Sequence, residues 1–125
     1  MSEHRNTTHK FRDLLVWQRS IDYVVDIYKL SGEFPAYERF GLTDQLRRAS
    51  VSISLNIAEG CGAGSKLEFI RFLRMAQRSA YEVIAALEIV TRLKIADKEQ
   101  TEHLINEADQ ICAMIYGLIK KLSSE

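Results

Sequence analysis

The sequence predicts an all-α protein, an antiparallel up-down-up-down four-helix bundle. Three observations predict it. Glycine and proline cut the chain into four long segments, apolar residues within each recur at steps of three and four, and no run alternates as a strand does. At 125 residues, with 46% hydrophobic and 27% charged residues, the chain suits one globular domain. Residues 1–12 are read as a polar N-terminal tail and residues 13–123 as the bundle.

The first helix is expected from about Leu14 to Ser31, with Asp13 as its N-cap. Its apolar stripe is Trp17, Ile21, Val24 and Tyr28. Gly32 and Pro35 close this segment, and Gly41 follows. The second helix starts near Thr43 and ends at the glycine cluster Gly60, Gly62 and Gly64. Leu46, Ala49, Ile53 and Ile57 form its stripe, while Val51, Leu55 and Ala58 point elsewhere. From Ala49 to Ala58 there is no charge, so this helix wants burial on more than one face. Its polar residues Ser50, Ser52, Ser54 and Asn56 read best as satisfying half-buried hydrogen bonds.

Ser65-Lys66-Leu67-Glu68 opens the third helix as a capping box. Phe69, Leu73, Ala76, Ala80, Val83, Leu87 and Val90 make a sustained seam. The fourth helix is expected to be capped by Asp97, answered by Gln100, with a stripe of Leu104, Ala108, Ile111, Ile115, Leu118 and Leu122. Gly117 falls inside this periodic run, where it costs about 1 kcal/mol relative to alanine unless packing requires it.

Several chemistries are disfavoured. A di-iron bundle draws on Glu-x-x-His pairs, and the sequence has none. His4 and His9 lie in the polar tail, and His103 is the one histidine in an expected helix. The run Gly60–Lys66 lacks the Gly-Lys-Ser/Thr ending of a phosphate-binding loop and follows a helix rather than a strand. Cys61 has no expected histidine neighbour, and Cys112 sits among apolar residues of the fourth helix. The two cysteines follow no disulfide or metal spacing, which suits a reducing, cytoplasmic setting. No apolar run approaches the roughly 20 residues of a membrane span, and no signal-peptide core is expected. No cofactor and no metal are expected.

Seventeen bases balance seventeen acids, which argues against coating a polyanion through bulk charge. The expected topology redistributes that balance. Residues 10–20, 57–78 and 115–125 share one end, where nine bases against four acids give +5, and the other end carries −5. Arg12, Arg19, Lys66, Arg71, Arg74, Arg78, Lys120 and Lys121 are therefore candidate contacts for phosphate or an acidic partner. The competing reading is a solvated helix face with ion pairs such as Glu68–Arg71 and Arg78–Glu82, worth about 0.2–0.5 kcal/mol each.

Three segments, FRDLLVWQ from Phe11, FPAYERFGLTDQLRRASVSISLNIAEG from Phe34 and EFIRFLRMAQRSAYE from Glu68, resemble the 23S rRNA-intervening-sequence proteins. Gly41-Leu42, Gln45 to Ala49 with Arg47 and Arg48, and Asn56 to Gly60 with Glu59 carry the resemblance most specifically. The resemblance implies a four-helix bundle that assembles into a ring, typically a homopentamer, with no established enzymatic activity. It makes Arg47, Arg48, Asn56, Glu59 and Gly60 motif residues of a structural kind. Accessory proteins of diversity-generating retroelements look similar and are strongly basic. Here Ala63 stands where many relatives carry arginine, and Arg78 replaces a common glycine. The leading expectation is a non-enzymatic, ring-forming scaffold or adaptor for a macromolecular partner, nucleoproteins included. The alternative is direct RNA or DNA binding through the basic end.

Overall fold

A computed structural model describes residues 10–125; the expected tail positions before Lys10, including His4 and His9, lie outside the described residues. A short 3₁₀ turn, Lys10–Asp13, leads into α1 (Leu15–Ser31). A 3₁₀ turn at Ala36–Glu38 and a wide π-turn at Arg39–Thr43 connect it to α2 (Asp44–Cys61). The helices α3 (Lys66–Leu93) and α4 (Lys98–Ser123) complete an all-α, four-helix fold with no strand among the described residues. α2 and α4 both pack against α3, and α1 packs against α2 and α4, so one core receives side chains from all four helices.

The core face of α1 differs from the expected one. Val16, Ser20, Tyr23, Ile27 and Leu30 are buried, whereas Ile21 and Tyr28 are exposed and Trp17 and Val24 half-buried. The two stripes are offset by one residue, or 100° around the helix. Both are apolar enough to be buried, and the inward one carries hydroxyls that find partners locally. Ser20 Oγ donates to the Trp17 carbonyl at 2.6 Å and Ser31 Oγ to the Ile27 carbonyl at 2.7 Å. Tyr23 donates its phenol proton across the fold to the Leu104 carbonyl at 2.7 Å. That bond keeps a large aromatic inside with its polar end satisfied. Asp13 is also not the cap: it ends the 3₁₀ turn, and extended Leu14 takes the N-cap position without a side-chain bond.

The α2 stripe, Leu46, Ala49, Ile53 and Ile57, is fully inside, as is the α3 seam from Leu73 to Val90. Each leucine, isoleucine or valine among them contributes about 1.5–3 kcal/mol of burial. Ser50 and Ser54 are buried too, donating to the Arg47 and Val51 carbonyls. Where α2 meets α3, Ser79 Oγ donates to Ser52 Oγ at 2.9 Å, and Gln45 Nε2 donates to the Glu82 carboxylate.

At the start of α3 the serine half of the expected capping box forms, with Ser65 Oγ accepting the Glu68 N–H at 3.1 Å, while the Glu68 carboxylate accepts from Arg71. In α4, Asp97 holds the N-cap position, but its side chain makes no capping bond. Its carbonyl instead accepts from Thr101 through both the N–H, at 3.1 Å, and Oγ1, at 2.8 Å. Leu104, Ala108, Ile111 and Ile115 are buried as expected; in the last turns Ile119 goes inside, and Leu118 and Leu122 are half-buried.

Candidate functional site

The basic side chains singled out by sequence divide into paired and unpaired groups. Arg19 reaches from α1 to α4, where it donates to Glu107 at 3.0 Å and Gln110 at 2.8 Å. Lys66 donates to the Glu125 carbonyl at 3.0 Å. Arg71 grips Glu68 at 2.9 Å and lies over the Phe72 ring at 4.7 Å. The hydrogen bond from Arg71 holds the Glu68 carboxyl below its ordinary value, although both groups lie in solvent. Arg78 does not pair with Glu82, whose carboxylate is taken by Gln45. Arg12, Arg74, Arg78, Lys120 and Lys121 are exposed and make no ion pair among the described residues.

Of the motif residues of α2, Arg47, Arg48 and Asn56 bond within the chain and Gly60 packs against α3. Arg47 Nε donates to Ser31 Oγ at 2.8 Å, an Nη donates to the Tyr28 carbonyl at 3.2 Å, and the guanidinium stacks on the Tyr28 ring at 4.5 Å. A cation thereby completes the carbonyl end of α1, where the helix dipole is negative. Arg48 pairs one turn back with Asp44 at 3.0 Å. Asn56 donates to the Ser52 carbonyl and Oγ at 2.9 and 3.0 Å. Glu59 is exposed, and Gly60 is buried against α3.

Sequence reasoning missed what these residues surround. Tyr28, Val51, Ser52, Leu55 and Asn56 line an open groove of about 620 Å³, flanked by Asp44 and Arg48 toward one end and Glu59 toward the other. Tyr28 and Leu55 are 43% and 56% exposed, so the groove holds an apolar patch in contact with water among polar side chains that include Arg47. The signal was present in two places: the apolar α1 stripe ending at Tyr28, and the uncharged stretch of α2. A second unexpected surface is the turn between α1 and α2, where Tyr37 and Phe40 are 81% and 86% exposed.

Thiol chemistry finds little support in the geometry. Burial pushes the Cys61 thiol above its ordinary value, against a smaller opposing pull from Lys10. Burial and then Asp109 push Cys112 up to about 11. Alkylation of the native protein at pH 8 is therefore expected to mark half-buried Cys61 first and to leave Cys112 unmodified until the fold opens, as peptide mapping after timed labelling will show. Among the described residues, no three His, Cys, Asp or Glu side chains gather as a metal would need, and no helix is long and apolar enough to cross a membrane.

The sequence profile of the 23S rRNA-intervening sequence protein family matches residues 12–117. The chain belongs to this family. The match runs from the turn before α1 into the last third of α4, so it takes in the α2 motif residues and the groove they line. The chain is also similar to a protein with unknown function from the S23 ribosomal protein family of Bacteroides thetaiotaomicron VPI-5482, solved at 1.70 Å. The two share 30% identity with a TM-score of 0.78, over 85% of this chain and 99% of the other. No curated protein matches the chain.

Proposed function

We propose that this family member is a non-enzymatic, ring-forming helical scaffold or adaptor of the cytoplasm that holds a macromolecular partner. The observation that carries the reading is the exposed apolar patch of Tyr28, Val51 and Leu55 within the otherwise polar groove between α1 and α2. A patch of that kind, rimmed by polar groups, marks an interaction surface. Repetition of one head-to-tail contact closes into a ring when the rotation permits, and a homopentamer is the form that family resemblance favours.

The helices run antiparallel, up-down-up-down, in this reading. Its support is the order of the cross-helix bonds. Arg19 meets Glu107 and Gln110, while Tyr23, one turn further along α1, meets Leu104, earlier on α4. Ser52 meets Ser79, while Gly60, later on α2, lies against Phe69 and Phe72, earlier on α3. With Lys66 bonded to Glu125 across α3 and α4, this reading gathers Arg74, Arg78, Lys120 and Lys121 toward one end, and in a ring all such ends face the same side.

The unpaired cations favour a second reading, direct RNA or DNA binding through that end. Both readings are tested on purified protein. Light scattering after size exclusion is expected to give an oligomer, and a monomer at micromolar concentration removes the ring. RNA and DNA binding of Arg74→Glu/Arg78→Glu, followed across a salt series, tests the second reading. Loss of a salt-dependent wild-type affinity supports it, and no wild-type binding at low salt removes it.

A further inference from the structure

The groove and the outer face of α4 match each other residue by residue. On α2, Arg48, Ser52, Leu55, Asn56 and Glu59 share one face, with Arg48 and Glu59 eleven positions apart. On α4, Asp109, Ala113, Tyr116, Gly117 and Lys120 share one exposed face, with Asp109 and Lys120 also eleven positions apart. Eleven positions span about 16 Å of helix. Charges at the two ends are opposite: Arg48 corresponds to Asp109, and Glu59 to Lys120. Neither Glu59, Asp109 nor Lys120 has an ion-pair partner among the described residues.

Gly117 adds an independent observation. A Cβ built there meets nothing within 4 Å among the described residues, so no packing among them requires glycine in the middle of a helix. Its cost of about 1 kcal/mol is unexplained by a single copy. Beside it Tyr116 is 60% exposed. A face that alternates small residues with one large aromatic suits close approach to another helix rather than to water.

We propose that the outer face of α4 in one copy lies in the α1/α2 groove of the next, parallel to its α2. The inference rests on the ring reading above and names the two surfaces that meet. Tyr116 covers Leu55, Val51 and Tyr28; Ala113 and Gly117 lie over Ser52 and Asn56; Lys120 reaches Glu59 and Asp109 reaches Arg48. The geometry of a ring allows this without sliding one copy past the other. Ser52 meets Ser79 across α2 and α3, and Lys66 meets Glu125 across α3 and α4. These two registers set Glu59 and Lys120 at the same level of the fold, so rotation about an axis along the bundle brings them together. The two surfaces differ, which makes the contact heterologous and able to close. Lys120 then belongs to the interface, leaving Arg74, Arg78 and Lys121 free for a partner.

The test is light scattering of the full chain and its variants at low salt. Gly117→Trp is expected to yield monomer with an unchanged helical circular dichroism spectrum, because the position is open among the described residues. Glu59→Lys and Lys120→Glu are each expected to weaken association about tenfold, and the double exchange Glu59→Lys/Lys120→Glu to restore it. The charge variants lie on the surface, so they read the contact even if Gly117→Trp fails to fold. An oligomeric wild type with all variants unchanged overturns this pairing of surfaces and leaves the ring standing. A monomeric wild type overturns both.

Discussion

Ile27→Ala is expected to lower the unfolding free energy by about 2–5 kcal/mol, the cost of removing a fully enclosed aliphatic side chain and leaving a cavity. Ile27 has no exposed surface, and it lies on the α1 face with Val16, Tyr23 and Leu30. Ile21 has the same side chain on the same helix but is 36% exposed on the outward stripe. Ile21→Ala is expected to cost about 1 kcal/mol or less in the fold of a single chain, in line with partial burial. Denaturant unfolding at several protein concentrations measures both. The Ile27→Ala loss is a property of one chain and stays constant with dilution, and a larger loss at Ile21 than at Ile27 would return α1 to the orientation expected from sequence.

Gly60→Val is expected to destabilise by about 3 kcal/mol, the upper part of the range for overpacking a close-packed contact. A Cβ at Gly60 would stand 2.8 Å from Phe72 Cβ and 3.0 Å from Phe69 Cδ1. Phe72 Cβ is anchored to the α3 backbone and has no rotamer by which to move away, so the helices themselves must separate. Gly60→Ala is expected to lose less, because alanine recovers about 1 kcal/mol of helix propensity while meeting the same obstruction. Thermal unfolding of the two variants beside wild type checks the order. A valine variant as stable as wild type would show that α2 and α3 have slack at their closest approach.

Much of the fold is legible in the sequence because its periodicity is strong and its breaks are unambiguous. The α2 stripe, the α3 seam and the Ser65–Glu68 cap follow directly from residue spacing. The α1 face does not. Its two apolar stripes compete, and hydropathy alone ranks Trp17, Ile21 and Val24 above a stripe containing Ser20 and Tyr23. What decides is whether each hydroxyl finds a partner, and the Tyr23 partner, the Leu104 carbonyl, is 81 positions away. Sequence spacing holds no record of such a bond. The same limit applies to the site. Arg47 looks like one cation among many until its partners on α1 are seen, and the groove emerges only when Tyr28 and Leu55 are brought side by side. Gly60 reads as the start of a flexible loop, but it is the last buried residue of α2 and is small because α3 needs the space.

Burial, followed by the nearby Glu107 and Asp26 carboxylates, holds the Tyr23 phenol far above its ordinary value. The sign of its contribution to stability follows. The neutral phenol is favoured inside, so its contribution is complete below the ordinary tyrosine range and is lost as pH rises beyond it. Acidification leaves this contribution intact.

The chain has one tryptophan, Trp17, and its ring meets Phe11 edge-on at 4.9 Å. That places the molecule's only indole where the first 3₁₀ turn folds onto α1, at the margin of the core rather than within it. Its fluorescence therefore reports the seating of the N-terminal turn, while the packed interior between α2, α3 and α4 is spectroscopically silent at those wavelengths.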